Sequence, residues 1–212
     1  MNFFVKKYLL AFIVFFTMST LSAQRETNKW KAQLALGVNS PSKSGFVEDF
    51  TGKSINFPTV NLGIQNMFTK QLGAKLDFSF NRISSDDNSP EFKLNYSRIN
   101  AQIVFDPTYN LYFLPQRMGV VMHAGPGYSF VKPLGNYSAN DTSFFNVMGG
   151  LEVHFGLAER ASLFVDTSYI LGFGKDFDPI TEGYGSFNGD LLTLTFGITF
   201  SLSGCQYCTN NE

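Results

Sequence analysis

The sequence predicts an all-β fold in which eight antiparallel strands close into an up-and-down barrel. Eight segments alternate large apolar residues with small or polar ones, and this period of two is typical of a β-strand with two unlike faces. The links between the segments differ in length in a regular way, as the hairpins of a barrel do. No helical pattern of useful length interrupts the alternation in the sequence after residue 28.

The last segment, "LLTLTFGITFSL" (Leu191–Leu202), shows the alternation most clearly. From Leu192 onward every second residue is large and apolar, and the residues between are Thr, Gly or Ser without one charge. Most segments have close to the ~9–11 residues of a tilted membrane-spanning strand. The eight predicted strands are Trp30–Asn39, Thr59–Asn66, Leu72–Ile83, Phe92–Phe105, Arg117–Phe130, Phe145–Gly156, Ser162–Leu171 and Leu191–Leu202.

The links predict a barrel with two unlike ends. Alternate links of an up-and-down barrel lie at the same end, so one end carries long loops and the other carries short turns. The longer, mostly polar links are 40–58, 84–91, 131–144 and 172–190. The tight links are 67–71 and 157–161. Link 106–116, with Pro107 and Pro115, is longer than this asymmetry predicts.

The N-terminal segment predicts export. Lys6 and Lys7 precede an apolar run over residues 8–18, and small residues end at Ala23, as in a cleavable signal peptide. The run is shorter than the ~20 residues of a spanning helix, so a retained membrane anchor is the less favoured alternative. Gln24, not Cys, follows Ala23, which argues against a lipid-anchored lipoprotein.

The predicted organisation is a signal peptide (1–23), a short segment (24–28), a barrel (29–202) and a C-terminal tail (203–212). The tail holds both cysteines, Cys205 and Cys208, in a Cys-x-x-Cys pattern. A redox pair would need a βαβ context, and a metal site would need further ligands, so both are alternatives. Because an exported chain favours oxidation, a local disulfide is the leading prediction.

The composition excludes one class of partner and suggests a non-aqueous environment. Charged residues make up 16% of the chain, below the roughly 25% of soluble domains. The net charge of −1 gives no electrostatic reason to expect a nucleic-acid partner. No cofactor-binding or metal-binding pattern is evident, and no cofactor is expected.

The polar face decides which side of the barrel meets water. A soluble lipocalin-like barrel is apolar inside and polar outside, whereas an outer-membrane barrel is the reverse. A face in bulk water would carry many Lys and Glu, but here the polar faces hold small and neutral residues. On three strands these are Asn61, Gly63 and Gln65; Gly119, Val121, His123, Gly125, Gly127 and Ser129; and Thr193, Thr195, Gly197, Thr199 and Ser201. The sequence therefore predicts a transmembrane β-barrel with a crowded polar interior.

Aromatic residues near strand ends agree with a membrane-spanning barrel, because such residues gather at membrane interfaces. Each of them singly is also compatible with ordinary sheet packing. The expected interfacial aromatics are Trp30, Tyr96, Tyr109, Tyr112, Tyr128 and Tyr169.

Two stretches, "HAGPGYSF" (His123–Phe130) and "GGLEVHFGLAERASLFVDTSYIL" (Gly149–Leu171), resemble strand–turn–strand segments of the OmpA-like family of eight-stranded outer-membrane barrels. The resemblance covers roughly residues 29–202 and implies an outer-membrane protein of a Gram-negative-type cell. The last strand also resembles the signal read by the barrel-insertion machinery, in the spacing of Thr195, Gly197, Phe200 and Leu202. It departs from that signal because a tail follows the strand. No peptidoglycan-binding domain follows the barrel, so cell-wall anchoring is not implied.

Five charged residues are expected to face the lumen: Lys75, Asp77, Arg98, Glu152 and Asp166. The interior of an eight-stranded barrel is just wide enough to be filled by side chains. Buried charges must be paired there, so the leading interpretation is a salt-bridged plug that fixes strand register. A gate or a proton-conducting path is the functional alternative.

The two histidines, His123 and His154, raise the possibility of a lipid-modifying enzyme. Such a site needs a nucleophile and a base within hydrogen-bond reach. Ser129 and Ser168 are candidates, but no local motif supports either, so no catalytic residue is predicted.

The sequence thus predicts a monomeric outer-membrane barrel in contact with outer-membrane lipid, with long loops outside the cell and short turns in the periplasm. Its expected role is structural or adhesive, through an extracellular ligand bound by the loops, without an open channel. A lipid-modifying enzyme is the alternative, and a soluble lipocalin-like carrier is the third.

Overall fold

The computed structural model describes residues 30–174 and 186–202. These residues form a closed barrel of eight antiparallel strands in sequential order, which confirms the predicted fold class. The predicted signal peptide, the residues up to 29 and the tail with Cys205 and Cys208 lie outside the described residues. No helix in the described part of the chain is long and apolar enough to cross a membrane.

Each predicted segment corresponds to one strand. The strands are β1 (Trp30–Pro41), β2 (Asn56–Met67), β3 (Leu72–Ser84), β4 (Lys93–Phe105), β5 (Met118–Pro133), β6 (Thr142–Ala158), β7 (Ala161–Phe173) and β8 (Leu191–Ser201). β5 and β6 have 16 and 17 residues, so they extend beyond the predicted segments. Three short 3-10 helices lie in the links: Lys43–Gly45, Thr108–Asn110 and Gly135–Tyr137.

Pairing of the first strand with the last closes the sheet. β1 runs antiparallel to β8 from Lys31 opposite Ser201 to Pro41 opposite Leu191. Each of the eight strands therefore pairs with two neighbours, and the sheet that the described residues form has no free edge strand. Closure of this kind is what a sheet needs where water cannot satisfy its edges.

Adjacent residues on every strand face opposite sides of the barrel wall. The outward examples, one per strand, are 43% to 69% exposed: Leu34, Ile64, Leu76, Ile103, Met122, Leu151, Val165 and Phe196. Their inward neighbours are at most 7% exposed: Gln33, Gln65, Lys75, Gln102, His123, Glu152, Asp166 and Thr195. The wall is thus apolar outside and polar inside at mid-height, the reverse of a soluble carrier barrel.

The two ends of the barrel differ in their links. Links 42–55, 85–92, 134–141 and 174–190 join strands at what we call the long-loop end. Links 68–71, 106–117 and 159–160 lie at the opposite, short-turn end.

An aromatic plug fills the lumen at the long-loop end. Link 42–55 folds into the barrel mouth, where the Phe46 ring lies 4.8 Å from that of Phe187 and 5.5 Å from that of Phe92. The backbones of Gly45 and Gly189 are in close contact. A Cβ atom added to Gly45 would lie only 2.5 Å from the Gly189 nitrogen, so neither position has room for a side chain. The plug comprises Phe46, Val47, Phe50, Ile83, Phe92, Leu94, Tyr96, Val131, Phe144, Met148, Ile170, Phe187 and Leu191.

Tyr96 corrects one prediction from the sequence. It was expected to lie at a membrane interface, but its side chain points into the lumen, is 0% exposed and belongs to the aromatic plug. The reason is the alternation of β4, which places Tyr96 on the same face as Arg98. Trp30, Tyr109, Tyr112 and Tyr169 are exposed, and Tyr128 packs edge-on against Phe145 with a centroid distance of 5.0 Å.

Two adjacent glycines on β6 test how tightly the lumen is packed. A Cβ on Gly150 would fall against Ser168 Oγ and 2.5 Å from His123 Cε1, whereas a Cβ on Gly149 would have its nearest neighbour at 3.9 Å. We predict that Gly150→Ala lowers the free energy of unfolding by about 1–3 kcal/mol, because the His123 ring must shift. Gly149→Ala, the matched control, should leave it unchanged. Urea unfolding in phospholipid vesicles measures both, and equal midpoints would contradict a tightly packed lumen.

Candidate functional site

The five charged residues expected in the lumen lie together at mid-barrel. Lys75 and Asp77 are on β3, Arg98 on β4, Glu152 on β6 and Asp166 on β7, and all five side chains point inward and are buried. Register brings two of them side by side, because Glu152 pairs directly with Asp166 across β6 and β7. We call these five residues, with the polar side chains they contact, the lumen network.

Glu152 is the hub of one half of the network. Lys75 Nζ donates to Glu152 Oε1 at 2.5 Å. Gln33 Nε2 and His154 Nε2 donate to Glu152 Oε2 at 2.9 and 2.7 Å. Donors from β1, β3 and β6 thus converge on one fully buried carboxylate. Their hydrogen bonds compensate for the hydration that Glu152 loses on burial.

Arg98 organises the other half. Its Nη1 donates to Asp77 Oδ1 at 3.0 Å and to Asn100 Oδ1 at 2.9 Å. Asn100 Nδ2 donates in turn to Asn146 Oδ1 at 2.6 Å. Asn146 Nδ2 donates to Ser129 Oγ at 2.8 Å. Ser129 lies 2.7 Å from the Tyr96 hydroxyl, so hydrogen bonds run from the ion pair to the aromatic plug.

His123 joins the two halves of the lumen network. Gln102 Nε2 donates to Asp77 Oδ1 at 2.9 Å, so the Gln102 oxygen is the atom that faces His123 Nδ1 at 2.6 Å. The other ring nitrogen lies 2.7 Å from Asp166 Oδ2. Both ring nitrogens therefore lie within hydrogen-bond distance of a side-chain oxygen, one on β4 and one on β7.

The mid-barrel network holds two cations and three carboxylates. The cations are Lys75 and Arg98, and the carboxylates are Asp77, Glu152 and Asp166. Lys31 and Asp106 add one buried charge of each sign. The sequence pointed to the five Asp, Glu, Lys and Arg residues but not to His123 as the side chain that links Asp166 to Gln102, since those contacts join three different strands.

The serines considered as nucleophiles form hydrogen bonds with groups other than a histidine. Ser129 bonds to Tyr96 and Asn146, and Ser168 Oγ donates to Asp166 Oδ1. Ser162, which the sequence analysis missed, lies 3.2 Å from His154 Nδ1, and His154 Nε2 bonds to Glu152. This order of groups resembles a hydrolase triad.

Two features of the structure favour a packing role for Ser162, His154 and Glu152. All three side chains are buried inside the filled lumen. The Glu152 carboxylate is already held by Lys75 and Gln33, so it is not reserved for His154. A nucleophilic serine also needs space beside it for a substrate.

His123, Glu152 and Asp166 also place one possible metal ligand each within 4.8 Å of one another. The ion pairs already use these atoms, since Lys75 occupies Glu152 Oε1 and His123 occupies Asp166 Oδ2. A cation could enter only by displacing the Lys75 ammonium. The neighbouring cavity, lined by Gln33, Lys75 and His123 among others, has a volume of about 10 Å³, which is too small for a hydrated ion.

The four residues that resemble an insertion signal divide between the two faces of the last strand. Thr195 and Gly197 point into the lumen, while Phe200 and Leu202 are exposed on the outer face. Leu202 lies just beyond the end of β8.

The fold and the polarity of its wall define the class as an inside-out eight-stranded barrel, and solved structures agree with this class. The chain is similar to Neisserial surface protein A (12% identity, 83% of this chain and 98% of that chain, TM-score 0.54). It is similar to the outer membrane protein OprG from Pseudomonas aeruginosa (13%, 83% and 99%, TM-score 0.54). It is also similar to a major outer membrane protein from Thermus thermophilus (11%, 81% and 98%, TM-score 0.58).

At these identities the likeness shows the fold, that of eight-stranded outer-membrane barrels, and not a role. No family model matches the sequence, and no curated protein matches it. The OmpA-like family therefore stays an expectation from the resemblance in the sequence.

Replacing Arg98 tests the ion pairing of the lumen. We predict that Arg98→Met lowers the free energy of unfolding by about 3–5 kcal/mol, because Asp77 loses its cation in a buried site. The double variant Arg98→Met with Asp77→Asn should recover part of this loss, since no charge is left unpaired. Lys132→Met, an exposed strand position, is the control. Urea midpoints in phospholipid vesicles measure these differences, and a double variant no more stable than Arg98→Met would contradict the pairing.

Proposed function

We propose that this chain is an integral outer-membrane β-barrel with a closed lumen, whose role is structural or depends on ligand binding by its long loops. The polarity of the wall is the observation that supports the proposal best. Outward apolar side chains on all eight strands form a band that would be costly to hydrate, and lipid removes that cost. A soluble lipocalin-like carrier would need the opposite arrangement.

The proposed orientation places the long-loop end outside the cell and the short-turn end in the periplasm. Outer-membrane barrels combine longer extracellular loops with short periplasmic turns. Export through the predicted signal peptide and insertion by the barrel machinery belong to the same proposal, as does a monomeric state.

Two layers of side chains support a closed lumen. The lumen network fills the middle of the barrel, and the aromatic plug fills the long-loop end. A conducting pore of useful width would require both layers to move. We therefore propose a non-enzymatic, non-channel protein, with a lipid-modifying enzyme as the alternative. Lipid analysis of a strain that lacks the gene would test that alternative.

Thiol labelling of the last strand tests membrane placement. In a background of Cys205→Ser and Cys208→Ser, single cysteines are placed by Thr195→Cys and Phe196→Cys. Thr195 is 1% exposed in the packed lumen, and Phe196 is 56% exposed on the outer face. In intact vesicles a membrane-impermeant reagent should label neither position, and a lipid-soluble reagent should label position 196 alone. Strong aqueous labelling at either position would overturn the proposal, and labelling at 195 with protection at 196 would favour the carrier.

Planar-bilayer recordings test the closed lumen. We expect no steady nanosiemens-scale conductance from the reconstituted chain, because side chains fill an eight-stranded barrel. A larger porin, reconstituted in the same way, provides the positive control. A stable open state with nanosiemens conductance would show that the side chains of the lumen network and the aromatic plug do not close the lumen.

A further inference from the structure

The turn between β4 and β5 exposes a group of aromatic side chains at the short-turn end. In link 106–117, Tyr109, Tyr112 and Phe113 are 66%, 91% and 81% exposed. Phe68, on the neighbouring turn 68–71, is 65% exposed. We call these four residues the aromatic shelf. A water-facing turn would be expected to carry polar residues, so this much exposed aromatic surface indicates a partner.

Hydrogen bonds tie the backbone of the two turns that carry the shelf to each other and to β5. The Asp106 amide donates to the Gln71 carbonyl at 2.7 Å, which joins the two turns. Thr108 Oγ1 accepts from the Val120 amide at 2.9 Å and donates to the Val120 carbonyl at 3.1 Å, which fixes the 3-10 helix to β5. These bonds lower the backbone entropy that binding at the shelf would otherwise cost.

Charge distinguishes this end of the barrel from the other. Among the described links at the short-turn end, the exposed charged residues are Lys70, Arg117, Arg160 and Glu159. Lys70 Nζ lies 5.9 Å from the Tyr109 ring centroid, so a cation sits beside the shelf. The described links at the long-loop end carry more acids than bases: Glu48, Asp49, Asp86, Asp87, Glu91, Asp141 and Asp190 against Lys43 and Lys53.

We propose that the aromatic shelf and the three exposed cations of the short-turn end, Lys70, Arg117 and Arg160, bind anionic phospholipid headgroups of the leaflet that surrounds this end. The shelf continues the outward apolar band beyond Leu72 and Phe105, both exposed at the ends of their strands. Aromatic rings settle at the headgroup level, and Arg and Lys are suited to phosphate oxygens. The inference rests on the proposed membrane placement.

The depth of the shelf is the first test. Trp30 is the single tryptophan of the chain, so Trp30→Phe gives a background without tryptophan. Tyr112→Trp then reports on the shelf, Phe196→Trp on the middle of the apolar band and Asn136→Trp on the long-loop end. The three variants are reconstituted in phosphatidylcholine–phosphatidylglycerol vesicles that carry bromine at different acyl depths.

Position 112 should be quenched most by bromine nearest the headgroups and little by aqueous acrylamide. Position 196 should respond to deeper bromine, and position 136 to acrylamide alone. If position 112 behaves like position 136 while 196 responds to lipid, the shelf faces water or another protein and this inference fails by itself. If position 196 is not quenched by lipid either, the proposed membrane placement fails as well.

The preference for anionic headgroups is the second test. The triple variant Lys70→Gln, Arg117→Gln and Arg160→Gln should bind fluorescent phosphatidylglycerol about fivefold more weakly or worse, in mixed micelles with phosphatidylcholine. The matched control, Lys43→Gln, Lys53→Gln and Lys132→Gln, removes the same charge from the long-loop end and should bind as the unmodified chain does. Equal binding by the triple variant, or an equal loss in the control, would overturn the proposed headgroup site.

Discussion

Closure of the sheet through β1 and β8 is the constraint on which the rest of the structure depends. Once Lys31 to Pro41 pair with Ser201 to Leu191, each residue of the wall must face either the lumen or the outside. The lumen of eight strands has room for side chains and little else. Every inward residue therefore has to suit its neighbours in size and charge, and every outward residue has to suit the surroundings of the barrel.

Glu152 shows how this constraint links distant parts of the chain. Its carboxylate accepts from Lys75, 77 residues away, and from Gln33, 119 residues away. A slip of one residue in the β3 or β6 register would turn Lys75 or Glu152 to the outside and leave the other charge unpaired. The lumen network therefore favours one register over its neighbours, whatever its net contribution to stability.

The sequence predicted what is local and failed where the structure depends on distant contacts. Alternation assigned the faces of Thr195 and Phe196, because the period of a strand is a property of a few residues. Alternation also places Tyr96 on the same face as Arg98, so the assignment of Tyr96 to an interface overlooked a local signal. Alternation could not show that link 42–55 folds into the barrel mouth. It also could not show that Gln102 presents its oxygen to His123, since that orientation is set by Asp77 on another strand. Link 106–116 was recognised as unusual in length, but the fixation of its 3-10 helix by Thr108 is visible only in the structure.

The filled lumen also determines where a function can reside. Because the lumen network and the aromatic plug occupy the interior, chemical groups that meet other molecules must lie on the outer wall or at the ends. The wall offers apolar side chains of similar character on all eight strands, which suits a fluid lipid more than a specific partner. The ends differ from each other, since acids predominate in the described long loops and exposed cations accompany aromatic rings at the short turns. Selective recognition is therefore expected at the ends, and in the proposed membrane placement the barrel would hold these ends on opposite sides of the bilayer.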